Sequence, residues 1–94
     1  MATFVVQYLY SQEKSDMDGL RAEHRAYLRT LLDSGSLLAS GPLVDRNGAL
    51  LIFSADSPED VALQLDSDPF EMAGFIGERI IEEWNPIMGP WSAQ

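Results

Sequence analysis

Leu37-Leu38-Ala39-Ser40-Gly41-Pro42 and Ala49-Leu50-Leu51-Ile52-Phe53-Ser54, followed by Ser57-Pro58-Glu59-Asp60, occupy the middle of the chain. Leu37 to Ser40 reads as a short strand, and Gly41-Pro42 reads as the turn that closes it. Asn47-Gly48 marks a further turn. The continuous apolar run from Ala49 to Ser54 then suits a central strand, which hides both of its faces. Ser57-Pro58-Glu59-Asp60 opens a helix, with a serine N-cap, proline at the first helical position and acids in the first turn. Two strands therefore lie side by side in the middle of the chain, with a helix following directly.

Working outward, Phe4 to Tyr10 is rich in β-branched and aromatic residues and reads as a first strand. Ser11 to Asp18 is polar and reads as a loop leading into a helix. From about Gly19 to Ser34, Leu20, Tyr27, Leu28 and Leu31 recur at helical spacing, and Gly35 supplies the stop. The helix after Ser57 is short and ends near Asp66. Phe75 to Trp84 reads as the last strand, with Ile76, Ile80 and Trp84 on one face and Glu78 and Glu82 interrupting it; Asn85-Pro86 ends it. The order is β-α-β-β-α-β, so the expectation is a ferredoxin-like α+β fold, an antiparallel sheet carrying both helices on one face. Apolar side chains also alternate onto the other sheet face. A second copy of the chain is the simplest cover for it, and a homodimer packed sheet to sheet is expected.

Ninety-four residues are expected to make one domain, residues 1–94, with a core limited by its size. The chain has no cysteine, which excludes disulfides, a thiol nucleophile and thiolate metal sites. A single histidine cannot furnish a zinc tetrad, and no cofactor motif is present, so neither a metal nor a cofactor is expected. Fifteen acidic residues against six basic ones give a net charge of −9, which argues against nucleic acid and anionic membranes as partners. Met1 to Val6 lacks the basic segment and apolar run of a signal peptide, and no stretch approaches the roughly 20 apolar residues of a membrane span. A cytoplasmic address is the default expectation.

His24 is the residue best suited to carry chemistry, because imidazole is the side chain that titrates nearest neutral pH. On a helical wheel Leu20, His24, Tyr27, Leu28 and Leu31 fall within an arc of about 100°, with His24 near its middle. The imidazole thus faces the sheet or a cavity beside it. Two readings follow: a core histidine bonded to one backbone group, or a general base. A base of this kind is usually oriented by an acid. Asp33 fails on geometry, since nine residues of helix give roughly 13 Å of rise and half a turn of phase. Asp68-Pro69-Phe70-Glu71 is better placed, because proline restricts the preceding residue to extended backbone. The same four residues also read as the opening of a further helical turn with Asp68 as N-cap. The two roles are compatible, since a carboxylate has two oxygens.

Three segments carry a family resemblance: Arg21-Ala22-Glu23-His24, Leu37-Leu38-Ala39-Ser40-Gly41-Pro42, and Asp66-Ser67-Asp68-Pro69-Phe70. In this order and spacing, across nearly the whole chain, they resemble the YciI-like or YCII-related proteins. The resemblance implies a dimeric α+β barrel, distantly similar to muconolactone isomerases, with a histidine and an aspartate as a catalytic pair. By position these fall on His24 and Asp68. Assigned activities in the family include dehydrochlorination of a chlorinated hydroxyquinol. The expected function is a lyase or isomerase in which His24 moves a proton on a cyclic, oxygenated small molecule while Asp68 fixes the imidazole tautomer. The alternatives are a ligand-binding or accessory dimer without catalysis, and a purely structural dimer. Tyr8, Tyr27, Phe70 and Phe75 are candidate pocket walls or plain core, and Ser40 is a candidate hydrogen-bond donor. Arg21, Arg25 and Arg29 line one helix flank, either as a solvated row paired with Asp18 and Asp33 or, for Arg21, as the attractor of an anionic substrate. In sequence terms alone, His24 and Asp68 meet only if the second helix is short and the chain turns back, or if they pair across a dimer.

Overall fold

Alternation in the first strand sets the architecture: Phe4, Val6 and Tyr8 are buried while their neighbours are partly exposed. The computed structural model describes residues 1–92; Ala93 and Gln94, the last two of the expected domain, lie outside the described residues. The elements are β1 (Ala2–Tyr10), α1 (Lys14–Met17), a 3-10 turn (Asp18–Leu20), α2 (Arg21–Ser34), β2 (Leu37–Pro42), β3 (Gly48–Ala55), α3 (Pro58–Asp66), α4 (Pro69–Met72) and β4 (Ile76–Trp84). The four strands pair antiparallel in the order β2-β3-β1-β4, with the helices on one face. This is a ferredoxin-like α+β fold. Phe4, Val6, Tyr8, Leu51 and Phe53 from the sheet meet Leu28, Val61 and Leu65 from the helices in one core cluster. Gly35 ends α2 with φ of 88°, a backbone conformation that side chains with a Cβ resist. The Ser57 hydroxyl caps α3 by accepting from Asp60 N at 3.2 Å.

Four details depart from the expectations. The polar stretch from Ser11 to Asp18 is not a plain loop: it holds α1 and leads into the 3-10 turn, so α2 begins at Arg21. Its one buried apolar residue is Met17, too little to make a helical period in sequence. Gly41-Pro42 do not close β2 but continue it, opposite Leu50 and Ala49. Proline is tolerated there because β2 is an edge strand. Gly48 is the first residue of β3 rather than a turn position. Finally, Ile76 does not share a face with Ile80 and Trp84. The β1–β4 register shifts between Leu9 and Tyr10, and Ile76 packs against the core cluster.

A second register shift lies in β2, between Leu37 and Ala39. It sets Ser40 opposite Leu51, a residue of the buried face, and so turns Ser40 toward the helices. The other sheet face is open. Leu50 and Trp84 lie there at 39% and 40% exposure, and the Trp91 ring rests edge-on against Trp84 at 6.5 Å. Among the described residues no helix is long and apolar enough to cross a membrane.

Close approach of β1 and β3 demands glycine at position 48, where a Cβ would collide with the Tyr8 carbonyl oxygen. Gly48→Ala is expected to cost about 1–3 kcal/mol of stability, as overpacking does. A urea midpoint equal to that of the unaltered chain would show that the strands are not held this closely.

Candidate active site

Asp68 owes its position to the way α3 ends. The helix stops at Asp66, Asp68 N donates to Leu65 O at 3.0 Å, and Pro69 holds Asp68 in extended backbone with φ −65° and ψ 127°. Asp68 then caps α4, its Oδ1 accepting from Phe70 N at 3.0 Å. On β4, Arg79 stands opposite Tyr8 and braces this turn from both sides, reaching Asp66 at 2.8 Å and Glu71 at 3.6 Å. The carboxyl group of Asp68 is wholly buried.

His24 and Asp68 meet within one chain. The imidazole Nδ1 lies 2.7 Å from Asp68 Oδ1, and the Tyr8 hydroxyl donates to Asp68 Oδ2 at 3.0 Å. Three elements distant in sequence, β1, α2 and the α3–α4 turn, converge on a single carboxylate. A carboxylate accepts, so the proton of the His24 hydrogen bond sits on Nδ1, and Nε2 of the neutral ring carries the free lone pair. Phe70 fixes the ring plane: the two rings stack with centroids 3.9 Å apart and an interplanar angle of 3°.

His24 lies at the wall of a cavity of about 180 Å³ lined also by Tyr8, Tyr10, Arg21, Arg25 and Ser40, with Leu28, Leu51 and Ala49 as apolar floor. Arg21 is held in place by α1 and the 3-10 turn that follows it. Its Nε donates to Asp18 Oδ1 at 3.2 Å, and its guanidinium reaches the Lys14 carbonyl at 3.3 Å. It also lies 5.8 Å from the centre of the Phe70 ring. Arg25 and Arg29 have no ion pair among the described residues, and the expected pairing with Asp33 is absent from them.

The other expected wall residues divide. Tyr8 lines the cavity. Phe70 is fully buried and supports His24 instead of lining it, Phe75 packs edge-on against Phe70 at 5.5 Å, and the Tyr27 hydroxyl ties α2 to α3 by donating to Gln64 O at 2.5 Å. Sequence reasoning missed Tyr10 and the tie from Tyr8 to Asp68. Alternation along β1 puts both tyrosines on the helix face, but no local pattern marks a partner 60 positions away. No cluster of three or more metal-binding side chains occurs among the described residues.

The pattern of the YCII-related domain matches residues 3–85. The chain belongs to that family. Among solved structures it is similar to 5-chloro-2-hydroxyhydroquinone dehydrochlorinase (TftG) from Burkholderia phenoliruptrix AC1100, determined in complex with 2,5-dihydroxybenzoquinone. The two are 26% identical, with a TM-score of 0.77 over 88% of this chain and 93% of that one. A NIPSNAP domain protein from Burkholderia xenovorans shares the fold at 13% identity and a TM-score of 0.51, over the full length of both chains. No curated protein matches the sequence.

Burial, reinforced by the negative charge of Asp68 and the hydrogen bond to it, pushes the Tyr8 phenol far above its ordinary value. Burial also raises Tyr10 and Tyr27. An unfolded chain ionises its tyrosines near pH 10 while the folded one keeps these protons. Their contribution to stability is therefore complete below about pH 10 and is lost as the pH rises beyond it. Ultraviolet titration of the folded protein is expected to show little tyrosinate at pH 10. Half-ionisation of all three at that pH would contradict this packing.

Proposed function

We propose that this YCII-family protein is a cofactor-independent lyase or isomerase acting on a small cyclic, oxygenated molecule, with His24 as the proton carrier. The observation that carries the reading is the 2.7 Å contact between Asp68 and His24 at the wall of a cavity. Asp68 holds the tautomer in which Nε2 accepts, and stabilises the imidazolium once the proton arrives. In an elimination, Nε2 takes a proton from the substrate. The bonding pair left behind becomes a new double bond, and the leaving group departs with its own pair. In an isomerisation the same proton returns at another carbon. Neither path needs a redox partner. A cavity of about 180 Å³ suits a single ring, and the similarity to a dehydrochlorinase crystallised with a quinone supports an oxygenated one. Arg21 would attract an anionic substituent and Ser40 would donate to a ring oxygen, while Phe70 keeps the imidazole in plane.

We also propose that residues 1–94 form one domain that pairs with a second copy through the open sheet face, covering Leu50 and Trp84.

Two measurements test these readings. With 5-chloro-2-hydroxyhydroquinone as the first substrate tried, His24→Asn is expected to lower chloride release about 10²–10⁴-fold, the usual worth of a general base, while the fold persists. Turnover that survived the substitution would leave ligand binding without catalysis as the better account. Light scattering at micromolar concentration should give the mass of a dimer, and a stable monomer would refute the pairing.

A further inference from the structure

The chain has three tyrosines, and two of their hydroxyls are committed within the protein. Tyr8 donates to Asp68 and Tyr27 donates to the Gln64 carbonyl. The Tyr10 hydroxyl has no hydrogen-bond partner among the described residues, although its ring lies at the cavity wall with His24, Arg21 and Ser40. Its position is set by the backbone. Tyr10 is the residue at which the β1–β4 register shifts, pairing with Ile76 while Leu9 pairs with Glu78. Gly77 is left between them, packed so closely that a Cβ would come within 3.3 Å of Ser11 and 3.4 Å of the Leu9 carbonyl. The extra residue belongs to β4, so β1 keeps its alternation and Tyr10 stays on the helix face with Tyr8. The ring is then braced edge-on by Phe70 at 5.9 Å and tilted against Tyr8 at 6.3 Å. Tyr10 and His24 thus pack on the same Phe70 ring.

We infer that Tyr10 is a second catalytic residue, a hydrogen-bond donor to the substrate oxygen on which negative charge gathers as His24 removes the proton. This rests on the proton-transfer reading above. Removing a proton from a ring carbon or hydroxyl leaves charge on a conjugated oxygen, and a fixed donor aimed at that oxygen lowers the barrier. A phenol suits the task because it gives a strong hydrogen bond without becoming a cation. Beyond burial, Asp68 raises and Arg21 lowers the Tyr10 phenol, so its hydroxyl lies within the field of both groups. Burial keeps its proton in place across the neutral range. Ser40 offers a hydroxyl too, but it is exposed, and a donor in a drier position is worth more.

Tyr10→Phe tests the inference, since it removes one oxygen and keeps the ring between Phe70 and Tyr8. The probe is 2,5-dihydroxybenzoquinone, followed by absorbance titration of the whole chain. Loss of a donor to a charged oxygen predicts roughly 10- to 100-fold weaker binding, with an unchanged melting temperature. Turnover of 5-chloro-2-hydroxyhydroquinone is expected to fall about 10²-fold or more through kcat. Tyr27→Phe, altered outside the cavity, should bind the probe as the unaltered chain does. Equal probe affinity in Tyr10→Phe, or no affinity in the unaltered chain, overturns the assignment. Failure of the His24 reading looks different: turnover survives His24→Asn, while the probe still distinguishes Tyr10→Phe.

Discussion

Everything at the site depends on one buried carboxylate. Asp68 is fully enclosed, and a charge taken out of water is costly unless hydrogen-bond donors surround it. Here the donors are the Tyr8 hydroxyl, the Phe70 amide and the His24 imidazole. Removing any one would leave the remainder holding an under-satisfied charge, and that penalty exceeds the worth of a single ordinary hydrogen bond. The site therefore belongs to the core rather than resting on it. Arg79 extends the arrangement by gripping residues on either side of the turn that carries Asp68.

Most of the fold was legible because its signals are local. Alternation in Phe4 to Tyr10, helical spacing in Leu20 to Leu31, and the cap at Ser57-Pro58 each depend on neighbours within one or two turns. His24 stood out for the same reason: a wheel needs only the helix it sits on. The end of α3 near Asp66 and the turn opened by Asp68 were legible too; what was not is that they bring Asp68 to His24 within one chain, since that depends on how three elements distant in sequence pack together. Other misses share a physical origin. The segment holding α1 buries one methionine, so burial rather than periodicity orders it, and its reward is the clamp on Arg21. Ser40 is aimed by a register shift, which appears only when two strands are paired.

The two sides of the sheet have different duties. The helix-covered face supplies the core and the cavity floor through Leu51 and Ala49. The opposite face keeps apolar side chains in reach of water, with the Trp84–Trp91 contact at one end. Any partner seated there would approach from behind the cavity, leaving its His24 wall on the helix side.

The parallel contact between Phe70 and His24 constrains traffic as well as posture. A half-rotation of the imidazole would break the bond to Asp68 and sweep the ring edge through a neighbour whose centre is 3.9 Å away. The two nitrogens therefore keep their identities, with Nδ1 held on Asp68. Relay schemes in which a histidine picks up a proton on one side and turns to release it on the other are closed to this ring. Under the proposed chemistry, a proton that reaches Nε2 departs by the route it entered, back to the bound molecule or out through the cavity mouth. Under that chemistry the site would be a cul-de-sac for protons, with entry and exit through one opening.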